Sequence, residues 1–188
     1  MFALIALGGN FPNGTLTPLQ TQIAAIKDIK ALGFTALKAS RFFQSPAFPA
    51  GAGPDYVNSA LCVARPDMGD AVALLQQLAK IEADHGRERH HRWGGRSLDL
   101  DLLAFGDQIL PDTQSFRAWA DLDISLAAQT APDRLILPHP RLHERAFVLA
   151  PLMDISPDWR HPVFGKTVRE MYAALPDESR SGVIALKA

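Results

Sequence analysis

A chain of 188 residues is long enough to bury a sizeable core and fits one domain spanning 1–188, leaving no room for a second fused activity. Its 47% hydrophobic and 21% charged content excludes whole-chain disorder, and 19 Lys and Arg against 20 acids, a net charge of −1, exclude a general attraction to nucleic acid or anionic membrane. The single cysteine, Cys62, cannot form an internal disulfide and reads as core filler. No apolar run reaches membrane-spanning length, so a cytoplasmic protein is expected.

Taken in order, Phe2–Leu7 is a short apolar run stopped by Gly8-Gly9-Asn10, a strand ended by a turn rather than a leader peptide. Gly9 to Gly14 has the glycine spacing of a phosphate-binding P-loop, but Thr15-Leu16 stands where Lys-Ser/Thr is required. Pro18 suits a first helical turn. Leu19, Ile23, Ile26 and Ile29 recur at helical spacing up to Gly33, a C-terminal cap. A second strand over Phe34–Phe43, a Pro/Gly/Ala loop over Ser45–Pro54 and a third strand over Val57–Ala64 follow. A second helix is capped by Asp67, buries Leu74, Leu75, Leu78 and Ile81, and closes at Gly86.

Next comes an arginine-rich loop carrying Arg87, Arg89, Arg92 and Arg96, which feeds Leu98-Asp99-Leu100-Asp101-Leu102. That alternation is the period of a half-buried strand. It puts three leucines on one face and two carboxylates together on the other, about 7 Å apart. Aspartate is depleted in strands and like charges repel, so the pair needs compensation. Either a hard divalent cation such as Mg²⁺, bridging to phosphates, supplies it, or the loop arginines pair with the aspartates.

The order strand, helix, strand, strand, helix, strand predicts an α+β fold. It would be a ferredoxin-like βαββαβ core with an antiparallel sheet, helices packed on it and C-terminal additions. Residues 112–133, containing Trp119, form a connection long enough to be a lid, an added helix or a mobile insertion. Arg134–Leu137 reads as a short strand. Pro138–Arg145 is a turn leading into the apolar run Ala146–Met153, and Thr167–Leu175 is a small closing helix. The His139-x3-His143 spacing could bind zinc on a helix, but the prolines flanking His139 and the missing third ligand favour phosphate contacts by His139 and Arg145. Asn58, inward on its strand, suits either the donor–acceptor edge of a heterocycle or a structural hydrogen bond. Tyr56 and Phe147 read as core aromatics.

Leu7-Gly8-Gly9-Asn10, Gly53-Pro54-Asp55-Tyr56-Val57-Asn58, Gly86-Arg87-Glu88-Arg89, Arg92-Trp93-Gly94-Gly95-Arg96-Ser97-Leu98-Asp99-Leu100-Asp101 and Leu137-Pro138-His139-Pro140-Arg141-Leu142-His143-Glu144-Arg145-Ala146-Phe147 occur in this order. Together they resemble the 6-hydroxymethyl-7,8-dihydropterin pyrophosphokinase family, from the first strand to about Pro157. The resemblance implies transfer of pyrophosphate from ATP to the hydroxymethyl group of 6-hydroxymethyl-7,8-dihydropterin, releasing AMP, by a monomer. A catalytically degenerate nucleotide- or pterin-binding homologue is the alternative. It further implies that Asp99 and Asp101 hold two Mg²⁺ ions and that Arg87 and Arg96 engage phosphates during the chemistry. Arg89, Trp93, Leu102, Arg134, His139 and Arg145 would contact ATP. Ser45, Pro46, Ala47, Tyr56, Asn58 and Phe147 would contact the pterin. The chain departs from the family at Gly9, where serine is frequent, at Ala79, in the loop around Ala50-Gly51-Ala52, and in the length of 112–133.

Overall fold

The computed structural model describes residues 1–47, 51, 53–86, 96–123, 126 and 129–187. Its elements are β1 (Phe2–Gly9), α1 (Pro18–Ala31), β2 (Ala36–Ala39), β3 (Phe43–Ser45), β4 (Tyr56–Ala64), α2 (Ala71–Asp84), β5 (Asp99–Phe105) and α3 (Thr113–Ala120). A 3₁₀ turn (Leu142–Glu144), α4 (Ala146–Ile155), α5 (Val168–Ala173), α6 (Asp177–Ser181) and β6 (Ile184–Ala185) follow. The fold is α+β, an antiparallel sheet with helices packed on it. Its strand order is β5-β1-β4-β3-β6, with β2 also pairing β4.

Local chemistry sets the helix ends. Thr17 accepts from the Gln20 N–H while the Gln20 side chain accepts from the Thr17 N–H, a capping box ahead of Pro18. Gly33 follows α1 at φ +86, a conformation that suits glycine. The buried face of α1 keeps Ile29 and packs Ile26 against the core, as predicted, but not Ile23. Thr21, Gln22, Ala25 and Ile29 are buried, whereas Ile23 is exposed. The reason is a polar pairing that periodicity cannot see: Gln22 donates to the Val57 carbonyl at 2.6 Å and accepts from the Ser59 hydroxyl at 2.7 Å. The cap of α2 is Asp70, not Asp67. Asp70 accepts from the Ala73 N–H at 2.8 Å, while Asp67 caps the preceding turn at Gly69.

The strand expected over 34–43 is broken into β2 and β3, which lie end to end along β4. At the break the Ser40 hydroxyl takes the Ala60 N–H at 2.9 Å, substituting for a ladder acceptor. The strand expected over 134–137 reduces to one bridge between Leu137 and Leu110, because Pro138 has no N–H to extend it.

Both faces of the sheet are covered. Ala3, Ile5 and Leu7 of β1 pack with Leu61 and Val63 of β4, Leu100 and Leu102 of β5, and the inner faces of α1 and α2. Leu4, Ala60, Leu103 and Ala104 on the other side meet Val148, Leu149 and Leu152 of α4 and Val168 and Met171 of α5. A register shift between β1 and β5 at Leu4/Ile5 lets Leu103 and Ala104 both join this second layer.

A cluster of rings ties the 112–133 connection to the C-terminal part. Phe116 of α3 is fully buried, with its centroid 5.3 Å from that of His161 and 5.5 Å from that of Phe164. His161 is also fully buried. Its Nδ1 accepts from the Val163 and Phe164 N–H groups at 3.2 and 3.3 Å. Burial, and secondarily His143, push the His161 pKa from 6.5 down to about 4. As pH falls below 6.5 the unfolded chain takes up this proton before the folded one, so stability present above pH 6.5 drains away towards pH 4. His161→Gln should therefore show a shallower loss of Tm between pH 7 and pH 4 than the unmodified chain. Equal slopes in a thermal-melt series would contradict the assignment.

Candidate active site

The register of three strands builds a row across the sheet. Asn58 of β4 faces Gly8 of β1, and Gly8 faces Asp99 of β5; one step along, Ala60, Ala6 and Asp101 form the next row. Directly opposed residues of an antiparallel ladder project to the same face. Gly8 and Ala6 are the half-buried positions at that end of β1, while Leu7 between them is buried on the opposite side. A Cβ at Gly8 would meet the Asn58 Oδ1 at 3.8 Å and nothing closer. A shallow floor without side chains thus separates an amide from two carboxylates, whose strands lie roughly 10 Å apart at a spacing of about 4.8 Å per strand.

On the acidic side, Asp99 and Asp101 are half-buried and alternate with buried Leu98, Leu100 and Leu102, as the sequence period requires. Glu82, buried on α2, accepts the Leu100 N–H at 2.7 Å and fixes β5 to the helix behind it. Of the two sequence readings of the carboxylates, the arginine pairing is seen at Asp99. Asp99 accepts from Arg96 Nη1 at 2.5 Å, a local pairing three residues apart, whereas Arg145 Nη1 only approaches Asp101 Oδ2, at 4.0 Å. Partial burial opposes the Arg96 charge, but Asp99 and then Asp101 outweigh it, so its pKa lies above the ordinary value.

Arg96 is held by its backbone as well. The Asn10 and Phe11 N–H groups donate to its carbonyl at 2.9 and 3.2 Å, and its own N–H donates to Asn10 Oδ1 at 3.0 Å. The Asn10 amide also donates to the Pro54 carbonyl at 3.1 Å, so one side chain ties two loops together. Gly9 allows this approach, since a Cβ there would lie 2.5 Å from the Ser97 carbonyl oxygen. The sequence reading took Gly8-Gly9-Asn10 as a strand stop and missed the clamp, whose partners are remote in the chain.

His139 is half-buried in the turn after Leu137, beside β5. Its N–H donates to the Leu103 carbonyl at 2.8 Å, and its Nδ1 accepts from the Arg141 N–H at 3.2 Å. Burial, then the charge of Arg145, lower its pKa to about 3, so the ring is neutral near pH 7 and presents Nε2–H as a donor. His143 points elsewhere, into the ring cluster 4.6 Å from Phe164. The described residues hold no group of three or more His, Cys, Asp or Glu that could bind a metal by themselves. Asp101, Leu102, His139 and Arg145 line a cavity of about 470 Å³ with Arg134, Leu75 of α2 and Trp119 of α3. Arg134 is exposed, 3.4 Å from Asp133. Trp119 carried no chemical signal in the sequence.

Across the floor, the buried Asn58 donates through Nδ2 to the Ser45 hydroxyl at 2.9 Å, which fixes the orientation of the amide. Tyr56 lies two residues back on the same face of β4 and pairs Ser45 in register. Ala47 is buried beside Pro46. Phe147, in the first turn of α4, is 40% exposed, with the Arg145 guanidinium 5.8 Å from its ring centroid. Arg87, Arg89 and Trp93 lie outside the described residues.

A model of the family described as 7,8-dihydro-6-hydroxymethylpterin-pyrophosphokinase (HPPK) matches residues 4–157. Proteins named 2-amino-4-hydroxy-6-hydroxymethyldihydropteridine pyrophosphokinase are similar over most of the chain. The one from Synechocystis sp. is 36% identical across 90% of this chain and 73% of its own, and that from Pseudomonas aeruginosa is 37% identical across 93% and 91%. That from Haemophilus influenzae is 35% identical across 83% and 82%. Among solved structures, Plasmodium falciparum HPPK-DHPS A437G with SDX-DHP shares the fold at a TM-score of 0.61 and 14% identity, covering 92% of this chain and 45% of that one. With 37% identity to a relative that it spans almost end to end, and a family model covering most of its length, the chain belongs to the 7,8-dihydro-6-hydroxymethylpterin-pyrophosphokinase family.

Proposed function

We propose that the face floored by Gly8 and Ala6 is where this chain carries out its family's reaction, pyrophosphoryl transfer from ATP to the hydroxymethyl group of 6-hydroxymethyl-7,8-dihydropterin in folate biosynthesis. The observation that carries the placement is the row Asn58–Gly8–Asp99, which sets an oriented amide and paired carboxylates on one open surface. A planar pterin edge suits the amide. A triphosphate suits the carboxylate side, where Arg145, Arg134 and the neutral His139 line one cavity with Asp101 and Leu102.

The donor set fits magnesium: two carboxylates on one strand face, oxygen-only, with Asp101 40% exposed and free to take a ligand from solvent. Asp99 and Asp101 would hold two Mg²⁺ ions, which when bound neutralise phosphate charge and orient the chain of phosphates. Arg96, paired with Asp99, and Arg87 would engage phosphate oxygens, and Arg89 and Trp93 would contact the nucleotide. Ser45 holds the Asn58 amide, Pro46 and Ala47 border the ring, and Tyr56 and Phe147 bracket it. In the transfer the hydroxymethyl oxygen forms a bond to the β-phosphorus, the bond from that phosphorus to the oxygen of AMP breaks, and the hydroxyl proton leaves to solvent. His139, with a pKa of about 3, is too weak a base to drive this near neutral pH. Rate comes from positioning and charge neutralisation.

We read β2 and β3 as halves of one interrupted strand, which makes the core a ferredoxin-like βαββαβ unit with α4, α5, α6 and β6 as additions. We infer one domain over 1–188 with 112–133 inserted, acting as a cytoplasmic monomer. Among the described residues, no helix is long and apolar enough to cross a membrane.

Asp99→Asn and Asp101→Asn should each lower kcat by roughly 10²–10³-fold, several kcal/mol of charge stabilisation, with Tm nearly unchanged. AMP release from ATP, Mg²⁺ and the dihydropterin is the assay, and near-normal turnover would refute the metal role. Gly8→Val tests the floor. Valine suits a strand and its Cβ would meet nothing nearer than 3.8 Å, so folding, checked by the melting curve, should persist while activity drops at least tenfold through crowding between the two substrates. Full activity with an unaltered pterin KM would place the substrates elsewhere.

A further inference from the structure

We propose that Trp119 is the wall of the nucleotide cavity against which the base of ATP stacks, and that α3 serves to hold it there; this rests on the assignment of that cavity to ATP.

The cavity has two kinds of lining. Asp101, His139 and Arg145 suit phosphates and their counter-ions, whereas Leu75, Ile136 and Trp119 offer flat or apolar surface. Trp119 carries the largest flat ring among these lining residues, the other being the His139 imidazole on the phosphate side, and a purine presents two faces that need covering. Leu75 comes from α2, on which the α/β core depends, but Trp119 comes from the connection that separates β5 from the His139 turn.

An eight-residue helix is not stable by itself, so its position must be imposed by contacts. Four are present. The stems of the connection are joined by the paired Leu110 and Leu137 backbone bonds at 2.9 and 3.0 Å. Asp112 caps the helix, accepting from the Ser115 N–H at 2.8 Å. Phe116 is fully buried against His161 and Phe164. Beyond the C-terminus, Arg141 Nη1 donates to the Leu122 carbonyl at 3.0 Å, while Arg141 itself pairs with Glu144 and lines the cavity. Phe116 and Trp119 are three residues apart, so they share one side of the helix. Locking Phe116 in the ring cluster therefore fixes the direction of Trp119. The indole stays half-buried, with surface left for a ligand to cover.

Stacking recognises the size of a ring system more than its hydrogen-bonding edge, which gives the test its signature. Calorimetry on the full chain with Mg²⁺ and α,β-methylene-ATP should show binding weakened by roughly 5- to 100-fold in Trp119→Ala, the range expected for loss of one base–aromatic stack. Trp119→Phe should recover most of that loss. Binding of inorganic tripolyphosphate, which has no base, should be unaffected, and the preference for ATP over CTP should shrink. In turnover the defect should fall on the KM for ATP rather than the KM for the dihydropterin. Phe116→Leu, checked for an intact fold by its melting curve, should reproduce part of the loss by loosening α3. If Trp119→Ala binds the analogue within twofold of the unmodified chain, or weakens tripolyphosphate equally, the proposal fails while the pyrophosphokinase reading stands. An unmodified chain that binds no nucleotide removes both.

Discussion

Two carboxylates fixed on one face of a strand repel each other, and much of the surrounding structure bears on that repulsion. Asp99 and Asp101 are held at their spacing by β5, whose opposite face is locked into the core by Leu100 and Leu102 and whose backbone is pinned by Glu82. The pair cannot move apart without breaking that packing. Positive charge must come to them instead, and it does so from Arg96 on one side and Arg145 on the other. A divalent ion bound with ATP answers the same electrostatic demand, so the apo ion pairs and the proposed metal site are alternative solutions to one problem.

The open floor follows from where the layers end. Over most of the sheet the second face is covered by α4 and α5, which meet Leu4, Ala60, Leu103 and Ala104. Towards the C-terminal end of β1 the side chains shrink to Ala6 and Gly8, leaving room for a ligand beside the start of α4. Asn10, one residue beyond the strand, draws Arg96 and Pro54 to the rim. Arg96 and Pro54, from two separate loops, are thereby anchored at a common point.

The charge states around the cavity are set by burial as much as by neighbours. His139, wrapped in backbone and beside Arg145, is neutral near pH 7, so it offers a directed N–H without adding a further positive charge. His161, deeper in the ring cluster, is neutral for the same reason and serves packing alone, as the seat for Phe116. Through that seat, and through Arg141, the connection after β5 becomes part of the cavity wall rather than a detached appendage.

Local order was legible in the sequence wherever a period or a cap defines it. The Leu-Asp alternation gave β5 and the shared face of its carboxylates. Pro18, Gly33 and Gly86 marked helix ends, and the ordered motifs pointed to the family. What the linear pattern could not supply depends on partners far away in the chain. Gln22 displaced Ile23 from the buried face because Val57 and Ser59 arrive beside it from β4. Ser40 broke a strand that looked continuous, and Asn10 became a clamp across 86 positions. Trp119, noted in the sequence only as part of a long connection, lines the cavity three residues from the buried Phe116. The period of hydrophobic residues encodes which face is inward, since burial of apolar area is additive and local in sequence. Hydrogen bonds and ion pairs are directional, and only the assembled fold decides which groups come within 3 Å of each other.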